Sequence, residues 1–183
     1  MFQVVYGGSA SGKSAFAEQL VIEQRESKSA DDLTRIYIAT MYPFDDECRK
    51  RIEKHRIMRA EKKFETIECY TGLKSIQLPE RAVVLLECMS NLVANERYQK
   101  GGAGNRTVEE VLEGICRLKE QAKALIVVTN NVFCDGTEYD EDTMEYLKEL
   151  GAINQAMGEM ADEVIEVICG IPVWQKGGNH EYI

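Results

Sequence analysis

Eight residues near the start of the chain, GGSASGKS, have the spacing of a phosphate-binding loop. They fit the pattern G-x-x-x-x-G-K-S, and they are Gly7, Gly8, Ser9, Ala10, Ser11, Gly12, Lys13 and Ser14. Such a loop turns its backbone N–H groups, and the N-terminus of the helix after it, toward phosphate. The lysine places a positive charge at the β- and γ-phosphates of a nucleotide, and the serine hydroxyl can bind Mg²⁺. We therefore expect a nucleotide site in which Ser14 holds a metal ion.

A carboxylate at the end of another buried strand is the expected partner of this loop. The apolar run AVVLLE, Ala82–Glu87, ends at Glu87. In open α/β sheets, ligands bind at the carboxyl ends of the strands, where Glu87 would face the nucleotide. Glu87 can hold the water shell of Mg²⁺ or polarise an attacking group, although it could also simply end the strand. With the loop upstream, we predict that Glu87 belongs to the metal site.

A histidine lies among arginines in the segment DDECRKRIEKHRIMRA. Arg51, His55 and Arg59 recur every four residues, so in a helix they share one face. A neutral imidazole beside arginines could attack phosphorus and form a covalent phosphoramidate, with the neighbouring cations offsetting the charge of the transition state. The alternative is a solvated basic face in which His55 is passive, and the charge pattern leaves both interpretations open.

Strand-like and helix-like segments alternate along the chain, which predicts an α/β fold with a mostly parallel sheet and helices on both faces, of the P-loop NTPase type. The predicted strands are Phe2–Tyr6, Arg35–Thr40, Phe64–Cys69, Ala82–Glu87, Ala124–Thr129 and Glu163–Cys169. The predicted helices are Ser14–Arg25, Asp45–Arg59, Leu92–Gln99, Thr107–Ala122 and Asp140–Ala161. We expect one domain over residues 1–175 and a flexible, polar C-terminal tail over 176–183.

The composition limits the partners and the compartment. The 183 residues carry a net charge of −9, which argues against a surface for nucleic acid or an anionic membrane. The six cysteines are scattered without a C-x-x-C pair, so zinc-site spacing is absent. With no secretory signal and no long apolar span, we expect a reduced cytoplasm.

Several segments in order give the chain a wider resemblance. They are YGGSASGKSAFAE, RIYIAT, DDECRKRIEKHRIMR with FETIE downstream, VVLLEC, IVVTN and GAINQAMGEMADEVIEVICGIP. From Phe2 to about Val173, the chain resembles the bifunctional adenosylcobinamide kinase / adenosylcobinamide-phosphate guanylyltransferase family of cobalamin synthesis. The most specific parts are the R-I-x-x-H-R-x-x-R helix followed by T-x-E, and the ending N-Q…A-D-E-V…G-I-P.

The resemblance implies a fold similar to recombinase-type ATPases, trimeric assembly, and Mg²⁺ with GTP and ATP as substrates. It implies that adenosylcobinamide is phosphorylated and then receives GMP from GTP through a GMP-histidine intermediate, with His55 as the nucleophile. Nucleotide contacts would fall on the phosphate loop and on a further set of residues. These are Thr40, Met41, Tyr42, Arg56, Ile57, Met58, Arg59, Glu68 and Glu87.

The sequence departs from the family pattern in places. Ala60 and Phe64 stand where the family commonly has proline and tryptophan, and Asn131 stands where it has glutamate, ahead of the acidic segment CDGTEYDEDTMEYLKE. Two other functions remain open from the sequence. One is a different small-molecule P-loop kinase, and the other is a nucleotide-binding regulator that has lost one or both activities.

Overall fold

The structure is a computed structural model that describes residues 1–24, 33–132 and 139–178. Its strands are β1 (Phe2–Gly7), β2 (Thr34–Ala39), β3 (Glu65–Glu68), β4 (Ala82–Glu87), β5 (Ala124–Asn130), β6 (Glu163–Ile168) and β7 (Ile171–Lys176). Its helices are α1 (Lys13–Glu23), α2 (Asp46–Arg59), α3 (Met89–Tyr98), α4 (Thr107–Gln121) and α5 (Glu141–Met160). Short 3₁₀ turns lie at Ala60–Lys62, Leu73–Ser75 and Gly104–Arg106.

The seven strands form one sheet in the order β3-β2-β4-β5-β1-β6-β7. All neighbouring pairs are parallel except the antiparallel pair β6 and β7. The central strands β4 and β5 are apolar and almost wholly buried, as parallel strands covered on both faces must be. The sheet therefore brings the carboxyl ends of β1, β4 and β2, and the loops that follow them, to one edge.

Helices cover both faces of the sheet. In β4, Val84 and Leu86 pack into the core beneath α3, α4 and α5, whereas Val83 and Leu85 pack toward Val21 of α1. This alternation follows from the two-residue period of a strand. The predicted fold class, a mostly parallel α/β sheet with helices on both faces, is confirmed.

The last strand was missed by the sequence prediction, which ended the sheet at Cys169. Strand β6 ends at Ile168, and the chain turns back through Cys169 and Gly170 into β7. Both turn residues have positive φ, 50° and 82°, which is the geometry of a tight two-residue hairpin. Pro172 argues against a central strand, but β7 lies at the edge of the sheet, where proline is tolerated.

The extent of the domain stays a prediction. Strand β7 includes Lys176, the first residue of the predicted tail, and residues 179–183 lie outside the described part of the chain. Among the helices of the described ranges, none is long and apolar enough to cross a membrane.

Candidate active site

The phosphate loop joins β1 to α1, and two of its glycines are required by close contacts. A Cβ atom on Gly7 would lie 2.6 Å from the Val167 carbonyl oxygen. Gly12 has a φ of 92°, and a Cβ there would lie 3.2 Å from the Cα of Gly170 in the β6–β7 turn. The Gly170 N–H also donates to the Ser11 carbonyl, 2.8 Å away. The loop is therefore supported from behind by the C-terminal hairpin.

Lys13 is folded back onto the loop that precedes it. Its side chain is buried, and Nζ donates to the Gly8 carbonyl at 2.9 Å. Burial lowers the pKa of Lys13, while the nearby Cys88 and Glu87 oppose that shift. The buried hydroxyl of Ser11 has no hydrogen-bond partner within the described residues. A loop with an unpaired hydroxyl, a lysine and a helix N-terminus has the donors that bind a phosphate group.

Glu87 lies at the carboxyl end of β4, where it contacts both the loop and β2. The Ser14 hydroxyl donates to Glu87 Oε1, and the Tyr37 hydroxyl donates to Oε2 at 3.1 Å. A hydroxyl and a carboxylate are hard oxygen ligands of the kind that Mg²⁺ takes alongside phosphate and water. Within the described residues there is no cluster of three or more His, Cys, Asp or Glu that could hold a metal by itself. The residues present thus fit an ion that nucleotide phosphates help to bind.

A pocket extends from Glu87 to helix α2. Its lining includes Tyr37, Met41, Arg56, Glu68, Tyr70 and Glu87. Arg56 of α2 forms an ion pair with Glu68 at the end of β3, with Nη2 and Oε1 2.5 Å apart. The other oxygen of Glu68 accepts a hydrogen bond from the Tyr70 hydroxyl at 2.9 Å. The pocket therefore joins the predicted metal ligand to the helix that carries the predicted nucleophile.

Aromatic rings stand beside Glu68. Burial, together with the bond to Glu68, raises the pKa of Tyr70 to about 12, so its hydroxyl remains a donor. The Tyr42 ring lies edge-on to Tyr70, with centroids 5.1 Å apart, and also contacts Phe44 at 4.7 Å. Tyr42 and Phe44 are exposed, so these rings offer an aromatic surface near the pocket.

The remaining predicted site residues have different positions. The backbone of His55 lies in α2, one residue before Arg56, and the side chains of His55, Met58 and Arg59 lie outside those that the structure describes. Ile57 is 66% exposed and is not part of the pocket lining. Thr40 is fully buried, and its hydroxyl bonds the backbone of Cys88 on both sides, as acceptor from N–H and donor to C=O. Thr40 thus holds β2 to β4 and has no exposed surface for a ligand.

Comparison with known proteins assigns the family. The sequence model of the family described as cobinamide kinase / cobinamide phosphate guanyltransferase matches residues 3–174. The chain belongs to this family. The family match confirms the predicted resemblance and the prediction of an enzyme with kinase and guanylyltransferase character in cobalamin biosynthesis, whose substrates are small molecules and include GTP or ATP.

Curated relatives align with this chain over nearly their whole length. The chain is 29% identical to the bifunctional adenosylcobalamin biosynthesis protein CobU of Escherichia coli K12 and 28% identical to that of Salmonella typhimurium LT2. Each match covers 94% of this chain and 98% of the relative. The corresponding protein CobP of Pseudomonas aeruginosa is 30% identical over 97% of this chain and 98% of its own length.

Some residues of this candidate site were missed by the sequence analysis. Tyr37 sits in the strand RIYIAT, where a buried tyrosine looks like any other β-former. A buried tyrosine hydroxyl usually has a hydrogen-bond partner, and this rule was the available signal that Tyr37 contacts another polar residue. The contact of Gly170 with the loop gave no signal, because the hairpin that makes it was itself missed.

Proposed function

We propose that the protein phosphorylates the hydroxyl of adenosylcobinamide and then transfers GMP from GTP to that phosphate, using His55 as a covalent carrier. The observation that supports this most directly is the pocket between Glu87 and Arg56, in a chain of this family. At one end of the pocket lies Glu87, which accepts a hydrogen bond from the Ser14 hydroxyl. At the other end lies Arg56, the residue that follows His55.

In the guanylyl transfer, the phosphate loop and Lys13 hold the triphosphate of GTP. The neutral imidazole of His55 attacks the α-phosphorus, a P–N bond forms, and the bond to the leaving pyrophosphate breaks. Arg56 and Arg59 offset the charge of the transferring group. The phosphate of adenosylcobinamide phosphate then displaces the histidine, so a P–O bond replaces the P–N bond and His55 is restored.

In the kinase step, the substrate hydroxyl attacks the γ-phosphorus of ATP or GTP. Glu87 is placed to act as the base that receives the hydroxyl proton. Ser14 and Glu87 would hold Mg²⁺, which when bound neutralises charge on the β- and γ-phosphates. Binding of the ion would then replace the hydrogen bond between Ser14 and Glu87.

The remaining contacts and partners are also proposals. The phosphate-loop residues, with Met41, Tyr42, Arg56 and Glu68, contact the nucleotide, and a homotrimer in the cytoplasm is the assembly and compartment that we propose. The acidic net charge argues against nucleic-acid and anionic-membrane partners, which supports small molecules and other copies of the chain as the partners that we propose.

Mass spectrometry of the intact protein after incubation with GTP and Mg²⁺ tests the carrier role. We expect the mass to increase by one GMP in the wild type and not in His55→Ala. Arg49→Ala is a matched control, because Arg49 lies on the same helix, is exposed and pairs with Asp46 in the first turn of that helix. It should form the adduct as the wild type does.

The absence of a GMP adduct in the wild type would contradict the proposal. A wild-type protein that binds GTP and never gains mass is not a guanylyltransferase with a histidine carrier. Phosphorylation of cobinamide without an adduct would then leave a kinase, and binding without either reaction would leave a nucleotide-dependent regulator.

A further inference from the structure

A second pocket lies on the opposite face of the sheet from α1. It is enclosed by β1, β5 and β6 and by the helix α5, and its volume is about 280 Å³. Its lining includes Val4, Thr129, Asn130, Asn131, Asn154 and Gly158. Pockets that bury a whole drug-sized ligand measure roughly 300–1,000 Å³, so this one suits part of a larger molecule.

The second pocket adjoins the phosphate loop. Tyr6, another lining residue, directly precedes Gly7, and Gly7 is in register with Asn130 across β1 and β5. The Asn131 N–H donates to the Gly7 carbonyl at 3.0 Å. A molecule bound here would therefore lie beside the loop that holds the nucleotide phosphates.

The polar groups of the second pocket are neutral. Its described lining contains no Asp, Glu, Lys, Arg or His; it combines asparagines, a threonine and a tyrosine with two valines. The Thr129 hydroxyl donates to Asn154 Oδ1 at 2.9 Å, which leaves the Nδ2 protons of Asn154 without a partner among the described residues. Burial and the neighbouring Glu166 raise the pKa of Tyr6, so its hydroxyl also stays uncharged.

We propose that this pocket binds the carboxamide-bearing edge of the corrin ring of adenosylcobinamide, an inference that rests on the proposed function. Primary amides supply both donors and acceptors, so an amide lining complements carboxamide side chains without a charged group. Val4 and Val164 would contact the apolar carbons between them. A phosphate or a nucleotide is a poor fit, because no cation is among the described residues that line the pocket. With the corrin edge held here, the hydroxyl to be phosphorylated can reach the adjoining loop.

Gly158 allows the second pocket to be filled without disturbing its walls. It lies in α5 and lines the pocket, and a Cβ built on it would meet no atom within 4 Å. Glycine is also a poor residue inside a helix. A larger side chain at this position should therefore leave α5 intact while occupying the space that the corrin edge would take.

The test compares the binding of adenosylcobinamide by Gly158→Leu and by the wild type. Binding is measured by equilibrium dialysis, in which the absorbance of the corrin gives the ligand concentration. We expect the Kd to rise at least tenfold in Gly158→Leu, with an unchanged or higher melting temperature. Asn154→Leu should weaken binding similarly, and it decides the matter if Gly158→Leu does not fold. Gln155→Ala is the control, since Gln155 is the next residue on the same helix and is exposed. Its Kd should match that of the wild type.

The GMP adduct measured in the same preparations separates the two proposals. If Gly158→Leu and Asn154→Leu bind the corrin more weakly but still form the full GMP adduct from GTP, the second pocket is supported as the corrin site. Equal Kd values in wild type, Gly158→Leu and Asn154→Leu, or no corrin binding by the wild type, would overturn the inference whether or not the adduct forms. If the wild type forms no adduct, the proposed function is contradicted. The comparison of Kd values would still decide where the corrin binds.

Discussion

Arg56 of α2 and Glu68 at the end of β3 are joined by an ion pair of 2.5 Å, and this contact ties the helix of His55 to the sheet. Ile57, on the same helix, is 66% exposed, so the described part of α2 gains little from apolar burial there. Among the described residues, the contact between this helix and the sheet that lies next to His55 in the sequence is therefore this polar pair.

Removal of Glu68 should separate catalysis from stability. Both side chains of the pair are about half exposed, so Glu68→Ala should change the free energy of unfolding by less than about 1 kcal/mol. Adduct formation from GTP should slow about 10- to 100-fold, because a small misplacement of a reacting group costs that much. Quench-flow mass spectrometry gives the rate. Glu113→Ala, which removes the ion pairs of Glu113 with Arg117 and Lys74 outside the pocket, should keep the wild-type rate. Equal rates in both variants would refute the positioning role of Glu68.

Tyr37 should influence the Mg²⁺ requirement through Glu87. Tyr37→Phe removes the hydroxyl that donates to Glu87 Oε2, and the loss of such an outer contact typically weakens metal binding 10- to 100-fold. We expect the Mg²⁺ concentration for half-maximal phosphoryl transfer to rise within that range, with a stability loss of about 1 kcal/mol.

A second tyrosine provides the matched control for Tyr37→Phe. Tyr146 is partly buried, and its hydroxyl donates to the Ser90 carbonyl at 3.3 Å and not to Glu87. Tyr146→Phe should cost similar stability and leave the Mg²⁺ requirement unchanged. If both variants shifted the Mg²⁺ requirement alike, the effect would come from general loosening of the fold and not from Glu87.

The first two glycines of the phosphate loop should respond differently to alanine. In Gly7→Ala the new Cβ would lie 2.6 Å from the Val167 carbonyl and 2.7 Å from Ser11 Oγ, so the loop or β6 must shift. Overpacking of this kind costs about 1–3 kcal/mol. In Gly8→Ala the Cβ would meet nothing within 4 Å, and the stability should be nearly that of the wild type. Urea denaturation measures both, and equal losses would show that the contacts behind Gly7 are not tight.

The N-terminus of α5 should give a pH-dependent contribution to stability. Asp140 accepts a hydrogen bond from the Thr143 N–H at 2.7 Å, and the backbone N–H groups there hold the pKa of Asp140 below its usual value. A lowered pKa in the folded state means that the stabilisation is complete above the unfolded pKa, about 3.9, and is lost as the pH falls through the folded pKa.

Melting temperatures of Asp140→Ala and wild type across pH test that contribution. The difference between them should be constant from about pH 7 to 5 and shrink below about pH 4. Asp140→Asn caps the helix without titrating, so its melting temperature should converge with that of wild type in acid. A difference between Asp140→Ala and wild type that persisted undiminished at pH 3 would mean that the carboxylate charge does not contribute.

The sequence was sufficient for the elements with strong local signals. The bounds of β4 were predicted to the residue, because a short apolar run such as Ala82–Val83–Val84–Leu85–Leu86 is typical of a doubly buried strand, and Glu87 was correctly placed at its end. The approach of Glu87 to Ser14 also follows from the strand order of such sheets.

Contacts between distant residues could not be read from the sequence in the same way. The hydroxyl of Tyr37 reaches Glu87 only because β2 and β4 are neighbours in a particular register. The start of α3 was predicted at Leu92 and lies at Met89, since the chain enters the helix one residue after β4. The edge strand β7 lacked the apolar pattern on which the other predictions relied.

The contact between Gly12 and Gly170 also bears on how the protein is made. The phosphate loop is translated well before the hairpin that supports it from behind, because the two segments lie far apart in the sequence. A nascent chain can therefore carry the whole nucleotide-binding motif without its finished shape. In evolutionary terms the constraint acts in one direction: a side chain at Gly12 would require room at Gly170, whereas a Cβ on Gly170 would meet no atom within 4 Å.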